Sequence, residues 1–413
     1  MASTVDTFAA GLKTRYTNEM VENLTKKDNL LLGLMREDSS FSGDGLKIPI
    51  IWNNPQSVSG TRAGAQAAKT NASIGAFTVT IGEFDGEVDV GDRVLKASRD
   101  NQGAFLRNKV LEIDGLYESM AERLDILLHG NGGQSLGQVA SISTPTNVIT
   151  LAQAYTAANF HPNMEIEASL TDGTSGAAKT GSSTITAVSL EGGTITIDDY
   201  ATIDPSTGPV ANDYLFAYLT HAQTSGVSEI HGIGSYITST ASPAALFGLT
   251  RTADPTSLAG VRLPSTMYTG LSTEMRLRAL GGFMTGRVGG PGPDTILLNP
   301  ENWENLATGL ASRGVRPAED DTTSFGYMAI NAVIGGKRVK IYSDRHQPKD
   351  LAFALRMKGW TLHSMLKYIH PIEEDGITIL RSANTNDYTY RLIGYPQPSC
   401  NAPGHNGRVP LTG

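Results

Sequence analysis

The sequence has one cysteine, no long apolar run and little charge, and each shortage excludes a class of protein. Cys400 is the only cysteine among the 413 residues, so no intrachain disulfide can form. No apolar stretch reaches the roughly 18 residues of a transmembrane helix, and no secretory segment follows Met1. We therefore expect a chain that is made in the cytoplasm, is not exported by a signal peptide and does not cross a membrane.

Basic residues are also scarce. The net charge is −8, and the longest basic cluster is Lys337, Arg338 and Lys340. Because tight nucleic-acid binding needs a basic stripe, we expect no sequence-specific contact with DNA or RNA. Charged residues make up 18% of the chain, below the roughly 25% usual for globular proteins. A low charge with ordinary apolar content favours an exterior that meets neighbouring molecules.

The first 95 residues predict an arm and a long loop. Apolar residues with helical spacing run through residues 5–35, so residues 1–45 are predicted to be a helical arm that packs on something else. Residues 46–95 predict a β-hairpin in which Phe77, Val79 and Ile81 alternate with threonines. Its long tip between Asn53 and Gly75 has only Arg62 and Lys69 as charged residues, and such a loop is either disordered or used by a partner.

The clearest pattern is that of one long helix within residues 96–138. Asp100 is a candidate N-cap and Gly130 a C-terminal stop. The apolar positions are spaced three and four apart: Leu106, Val110, Ile113, Tyr117, Met120, Leu124 and Leu127. The opposite face is polar and includes Glu118, Glu122 and Asp125, so this face is predicted to be exposed. A coiled coil remains an alternative that Gly115 disfavours.

The composition and the predicted secondary structure change twice along the rest of the chain. Residues 139–219 hold eight acidic residues and one basic residue, Lys179, and their short strands predict an inserted small β domain, with a barrel as one candidate form. Residues 220–270 are predicted to connect this domain to an α/β region at 271–380. There, Asn299-Pro300-Glu301 predicts the start of a helix. Residues 381–413 predict a closing strand and an extended tail.

Motifs of chemistry are weak, and the sequence predicts no enzyme, catalytic residue, cofactor or metal site. Gly133 to Gly137 matches a nucleophile elbow around Ser135, but a helix precedes it where a strand is needed. The eight histidines have no paired zinc spacing, and we interpret His129 as a partner of the helix dipole. The acidic pairs and runs at 198–199 and 319–321 are typical of solvated loops.

The order of these parts resembles the Hong Kong ninety-seven type fold of tailed-bacteriophage major capsid proteins. The segment Arg123-Leu-Asp-Ile-Leu-Leu-His-Gly-Asn-Gly132 is similar to the end of that fold's spine helix, and Asp294 to Pro300 with Trp303 and Leu306 is similar to its axial strand-to-helix step. Tyr388 to Tyr395 resembles its closing strand. The resemblance implies an α+β fold with an N-arm, an E-loop, a spine helix and peripheral and axial domains, plus the inserted β domain.

The resemblance also implies a function: many copies assemble, as hexamers and pentamers, into an icosahedral virion head around the phage genome. A separate scaffolding protein, a portal and a cement protein are the implied partners. The implied subunit-contact residues are Tyr16, Arg62, Lys69, Phe77, Glu83 and Asp85. Some members of that family crosslink a lysine of the E-loop to an asparagine of a neighbouring subunit, with the help of a carboxylate. If this chain did so, Lys69 would be the lysine, Asn384 or Asn386 the asparagine, and Glu373 or Glu374 the carboxylate.

Three other interpretations stay open at the level of the sequence. An encapsulin-like compartment uses the same fold around an enzyme cargo, and only the contents of the shell would separate the two. A β-rich tail component or adhesin fits the strands of residues 139–219 but explains the long helix poorly. A hydrolase that uses Ser135 is the enzymatic alternative.

Overall fold

A computed structural model describes residues 30–91, 102–144, 146–204, 208–221, 230–286, 288, 290–311, 329–366, 368–373, 379–381 and 388–411. The predicted arm helix, with Tyr16, lies outside these residues except at its end. The same is true of Asp100, the acidic run at 319–321, Glu374, Asn384 and Asn386.

The described residues form seven α-helices and twenty-one β-strands. The helices are α1 (Leu30–Leu34), α2 (Arg62–Ala67), α3 (Gln102–His129), α4 (Ile233–Tyr236), α5 (Pro255–Ala259), α6 (Thr273–Gly286) and α7 (Pro300–Ala311). The strands of the first half are β1 (Arg36–Asp38), β2 (Leu46–Asn53), β3 (Ser73–Val79), β4 (Phe84–Val90), β5 (Gly137–Ser143), β6 (Val148–Leu151), β7 (Glu165–Ser169), β8 (Ser183–Ser189), β9 (Thr194–Ile197) and β10 (Tyr214–Ala217).

The strands of the second half are β11 (Val261–Arg262), β12 (Thr295–Leu298), β13 (Ala329–Ile334), β14 (Lys337–Ser343), β15 (Leu351–Leu355), β16 (Trp360–His363), β17 (His370–Pro371), β18 (Ile379–Arg381), β19 (Tyr388–Gly394), β20 (Gln397–Cys400) and β21 (Gly407–Pro410). Short 3-10 helices occur at Ala154–Asn159, Tyr200–Thr202, Ser265–Met267, Met357–Gly359 and Pro403–His405. None of the helices in the described ranges is both long and apolar enough to span a membrane.

A six-stranded sheet forms the body of the C-terminal half, in the order β11-β21-β15-β12-β14-β13. Its central strand β12 is buried at all four positions because it has neighbours on both edges and a helix-covered face. The helices α6 and α7 supply Leu277, Leu280 and Leu306 to this core. As predicted, α7 begins after Asn299, whose side-chain oxygen accepts a hydrogen bond from the backbone N–H of Glu301 at 3.2 Å.

The inserted β domain is a closed barrel of six strands in the order β10-β5-β6-β9-β8-β7. Closure removes the edges that six short strands would otherwise expose. The barrel has a core of its own, formed by alternate residues of its strands: Val139, Ile149, Leu151, Ile166, Ile185, Ile195, Ile197 and Leu215. The prediction of a small inserted β domain is therefore confirmed.

The long helix α3 ends at His129, next to the predicted stop at Gly130. From residue 113 onwards its apolar positions are buried as the spacing predicts, in one core with Leu31, Trp360 and Tyr390. The predicted exposed face is wrong at one position: Asp125 is 2% exposed, because the turn after β14 covers this side of the helix.

The predicted hairpin of residues 46–95 divides into two parts. β2 and β3 form a separate antiparallel ribbon, with Leu46 opposite Val79 and Asn53 opposite Ser73. β4 leaves the ribbon and pairs with the closing strand β19, in a sheet with β17 and β18. Gly86 allows this strand to lie against α3, since a side chain there would collide with Met120. The hairpin boundary at residue 95 is therefore corrected to Val79.

Candidate functional site

The base of the β2–β3 ribbon is anchored in the core of the chain. Ile50, Phe77 and Val79 point inwards, and the ring of Phe77 meets that of Tyr236 edge to face at 5.8 Å. The backbone N–H of Thr78 also donates to the carbonyl of Phe247 at 3.0 Å. These contacts fix where the ribbon leaves the body and in which direction it points.

The tip of the ribbon, residues 53–73, has no buried residue. Its hydrogen bonds are local: the backbone N–H of Gln56 donates to the Thr70 hydroxyl at 2.6 Å, and the backbone N–H of Thr70 donates to the Ser57 hydroxyl at 3.0 Å. Thr61 caps the six-residue helix α2, which buries none of its side chains. The tip is thus shaped by capping and turn chemistry and has no core.

Three large apolar side chains on the ribbon face outwards. Ile51 is 63% exposed, Ile74 is 62% exposed, and Val58 at the tip is 88% exposed. Ile51 and Ile74 are register partners, so they form one patch on the outer face of the ribbon. An apolar pair at this position on a projecting element is typical of a contact surface.

The sequence-predicted contact residues occupy different places. Arg62 and Lys69 are exposed on the tip, as a contact role requires. Phe77 is fully buried in the chain's own core, so its ring is not available to a partner. Glu83 and Asp85 are exposed, but they lie on β4 and just before it, beyond the end of the ribbon.

Glu83 and Asp85 border a cavity of about 300 Å³ between β4, α3 and the barrel. At its wall, Arg123 donates hydrogen bonds from Nη2 to the carbonyl of Gln134 and to the hydroxyl of Thr220, both at 3.3 Å. Burial lowers the pKa of Arg123 to about 10. Burial and the neighbouring Glu83 raise the pKa of Asp85. No sequence pattern marked Arg123 as part of a site, because it lies on the helix between apolar positions.

The barrel is attached to the rest of the chain by polar contacts. The hydroxyl of Tyr155 donates at 3.0 Å to Asp350, which lies between β14 and β15. His161 and Arg345 both reach Glu122 on α3, at 3.2 and 2.8 Å. Burial, followed by the charge of Asp350, raises the pKa of Tyr155. The barrel therefore rests on α3 and on the six-stranded sheet.

A buried cluster of charged side chains joins α3 to the turn after β14. His129 Nε2 lies 3.2 Å from Asp344, and Asp125 lies 3.7 Å from both His129 and His346. Burial lowers the pKa of His129, but Asp344 and Asp125 outweigh it and raise this pKa to about 9. Burial and then the charge of His129 lower the pKa of His346 to about 4. The sequence pattern indicated only the helix dipole as a partner of His129.

The elbow-like motif around Ser135 lies between the end of α3 and the start of β5. A nucleophile elbow needs the opposite order, a strand followed by a helix, to force its strained turn. The local fold therefore gives Ser135 no support as a nucleophile.

No family model and no curated protein matches the chain. Solved structures do match: a chain of the capsid asymmetric unit of cyanophage A-1(L) is 10% identical with a TM-score of 0.55, and the match covers 92% of this chain and 91% of that one. The SrpI encapsulin complex of Synechococcus elongatus is 11% identical with a TM-score of 0.45, covering 93% and 87%. The capsid of an empty GTA particle is 8% identical with a TM-score of 0.43, covering 94% and 90%.

The match to the cyanophage chain extends over nearly the whole of both chains, so it compares complete folds. The chain therefore has the fold of a phage capsid protein, and the predicted fold class is confirmed.

Proposed function

We propose that this chain is the major capsid protein of a tailed bacteriophage, which assembles into the icosahedral head shell that encloses the phage genome. The observation that carries the proposal is the fold shared with the cyanophage capsid chain over 92% of the residues. A structural role without catalysis, in the virion, is part of the proposal, and the shared fold supports it. Scaffolding, portal and cement proteins belong to the proposal as partners.

The ribbon supplies the contact between subunits. Its base is rigid because Phe77 and Val79 are fully buried, whereas its tip is held by local hydrogen bonds within the tip and has no buried side chain. In the shell, the ribbon of one copy lies on a neighbouring copy, and this neighbour covers Val58, Ile51 and Ile74 of the ribbon. Each contact is modest, but every subunit both gives and receives one, so the closed shell is held by many contacts at once.

Charge complementarity favours the acidic surfaces of this same chain as the receiving site. The tip has two cationic side chains, Arg62 and Lys69, and no acidic residue. Glu83 and Asp85 on the body are exposed acids, and the barrel region 139–219 is acidic as well. Opposite charges on tip and body steer identical copies towards a head-to-tail contact, which can propagate around a ring.

The test is assembly of the full chain, measured by light scattering and electron microscopy. We expect closed particles of uniform diameter, formed by the chain alone or with its scaffolding protein co-expressed. Deleting residues 54–74 should abolish stable particles and leave the circular dichroism spectrum of the body unchanged. Normal assembly of the deletion variant would contradict the role of the tip, and a monomer that persists with the scaffold present would favour a tail component.

A single substitution separates the role of the tip from a general loss of apolar surface. We expect Val58→Ser to slow or weaken assembly, while Leu190→Ser on the barrel, where Leu190 is 64% exposed, serves as the matched control. Equal effects of the two variants would argue against a specific tip contact. The contents of purified particles then distinguish a phage head, with DNA inside, from a compartment with a protein cargo.

A further inference from the structure

We propose that the buried cluster between α3 and the six-stranded sheet binds one divalent transition-metal ion, with ligands from Asp125, His129, Asp344 and His346. The proposal is independent of shell assembly, since all four residues belong to one copy of the chain. It differs from the sequence-based expectation that the chain has no metal site.

Two rigid elements hold the cluster. Asp125 and His129 are four residues apart near the C-terminal end of α3, so their side chains lie on the same face, one turn apart. Asp344 directly follows β14, and its backbone N–H donates to the carbonyl of Leu298 at the end of the neighbouring parallel strand β12. The ligands therefore come from positions that regular secondary structure fixes.

The donor atoms lie at distances that an ion can bridge. One ligand atom from each of Asp125, His129 and Asp344 falls within 4.8 Å of the others. His346 Nε2 adds a fourth donor, 3.7 Å from Asp125 Oδ2. Ligands at about 2.1 Å from a zinc-like ion lie about 3 to 3.6 Å apart, so rotations of the side chains are enough to close the site.

Hydrogen bonds outside the cluster orient the ligands towards its centre. His129 Nδ1 lies 2.9 Å from the carbonyl of Asp125, and because a carbonyl only accepts, Nδ1 carries a proton. Nε2 faces Asp344 Oδ2 at 3.2 Å, and an ion bound between them would take the place of the proton on Nε2. The backbone N–H of His346 donates to Asp344 Oδ1 at 3.1 Å, which leaves Oδ2 facing His129. Metal-binding histidines in proteins are commonly held by such a second hydrogen bond.

Three of the donor atoms make no well-aligned hydrogen bond among the described residues: Asp125 Oδ1, His129 Nε2 and Asp344 Oδ2. The last two face each other only as an ion pair at 3.2 Å. The side chains are 2–3% exposed, so bulk water does not compensate them. Leaving one buried polar atom unpaired costs about 1–3 kcal/mol, and more for charged groups. A cation at the centre of the cluster would satisfy all three atoms together and would neutralise the two carboxylates.

The mixed donor set selects the class of ion. Two carboxylates and two imidazoles suit Zn²⁺, Mn²⁺, Fe²⁺ or Co²⁺. Ca²⁺ takes about six to eight oxygen ligands, which this site does not offer. The ion would pin the end of the long helix to the six-stranded sheet.

The experiment uses the full chain, treated with chelator and then titrated with Zn²⁺ in a calorimeter and with Co²⁺ by visible absorption. We expect one ion per chain, a Co²⁺ absorption band, and a melting temperature that rises with Zn²⁺ and falls again with chelator. Asp344→Asn should weaken binding by at least about 10- to 100-fold, since that is already the effect of losing a group that only supports a ligand. Glu122→Gln, a neighbouring carboxylate on the same helix, is the control and should bind as the wild type.

Two results would overturn the proposal. One is a wild-type chain that takes up no stoichiometric Zn²⁺ and shows no Co²⁺ band, which would leave the cluster as an ion pair of His129 with the carboxylates. The other is wild-type affinity in Asp344→Asn, which would assign the ion to exposed surface acids. If Asp344→Asn does not fold, His346→Gln at the edge of the cluster replaces it, and the wild-type Co²⁺ band decides independently of any variant.

Discussion

The ribbon tip and the barrel are both insertions between elements of the body, but they are stabilised in opposite ways. The barrel buries Ile149, Ile195 and Leu215 completely and closes its own sheet. The tip, residues 53–73, buries no residue at all. An insertion with its own core keeps its shape in a single chain, whereas one without a core needs contacts from elsewhere to offset its ordering entropy.

The largest effect should be the difference in reactivity between a thiol on the exposed tip and the thiol of Cys400 in the core of the body. Burial raises the pKa of the fully buried Cys400 from its ordinary 9.0 to about 12, which lowers its thiolate fraction at neutral pH about 1,000-fold. A Val58→Cys variant places a second thiol on the exposed tip. We expect a disulfide reagent to label this thiol at least about 1,000-fold faster than Cys400, with wild type as the control.

The same variant also tests the tip in particles. If a neighbouring copy covers the tip, labelling of the Val58→Cys thiol should slow on assembly and recover on dissociation. Labelling of the tip thiol at the same rate in particles and in free chains would contradict a buried tip. Fast labelling of Cys400 in the folded wild-type chain would contradict its place in the core.

The second largest effect should be the loss of barrel stability when its core is truncated. Ile195→Ala removes a fully buried side chain, so we expect the free energy of unfolding of the barrel to fall by about 2–5 kcal/mol. Leu190→Ala, five residues earlier and 64% exposed, should change it by less than about 0.5 kcal/mol. Urea denaturation followed by circular dichroism measures both, and equal effects would mean that the barrel has no core of its own.

A third test concerns the only cation of the barrel region. Lys179 Nζ lies 2.7 Å from Asp213 Oδ2 and also donates to the carbonyl of Gly208 at 2.9 Å. Because Asp213 is 0% exposed, Lys179→Met would leave a buried carboxylate without its partner, at a cost of about 3 kcal/mol. In the double variant with Asp213→Asn, part of this stability should return, and additive losses in denaturant would show that the two side chains do not interact.

The sequence predicted what depends on local pattern. The spacing from Ile113 to Leu127 gave the buried face of α3, and the strand-rich, acidic region 139–219 gave the barrel. The departure of β4 from the hairpin was not predictable, because its partner β19 begins some 300 residues later. The position of Phe77 in the core has the same cause, since its partner Tyr236 is distant in sequence.

For the buried charged cluster, too, only the part that is local in sequence could be predicted. The i, i+4 spacing of Asp125 and His129 was visible, but Asp344 and His346 come from the turn after β14, more than 200 residues away. From the sequence alone, Asp125 therefore belonged to a solvated face. Only long-range packing of β14 against the end of α3 buries it.

The smallest effect on stability should come from a substitution next to β1, whose Asp38 side chain is only partly buried. Its Asp38 accepts hydrogen bonds from the hydroxyl and the backbone N–H of Ser40, at 2.5 and 3.0 Å, and lies 3.1 Å from His363. The hydrogen bonds of Ser40, and then the charge of His363, hold the pKa of Asp38 below its ordinary 3.8. A lowered carboxyl pKa contributes stability above about pH 4 that is lost as the pH falls through the folded-state pKa.

Ser40→Ala removes the hydroxyl donor, so it should destabilise the chain by no more than about 0.5 kcal/mol at pH 7, since the Asp38 side chain is 35% exposed and Ser40 is exposed. Because protonated Asp38 gains little from that hydroxyl, the difference from wild type should shrink as the pH falls below 3.8 and through the lowered folded-state pKa of Asp38. Urea titrations at pH 7, 5 and 3 measure it, with the exposed Ser42→Ala as the matched control. A difference that grows as the pH falls would have the wrong sign and would exclude Asp38 as the group responsible.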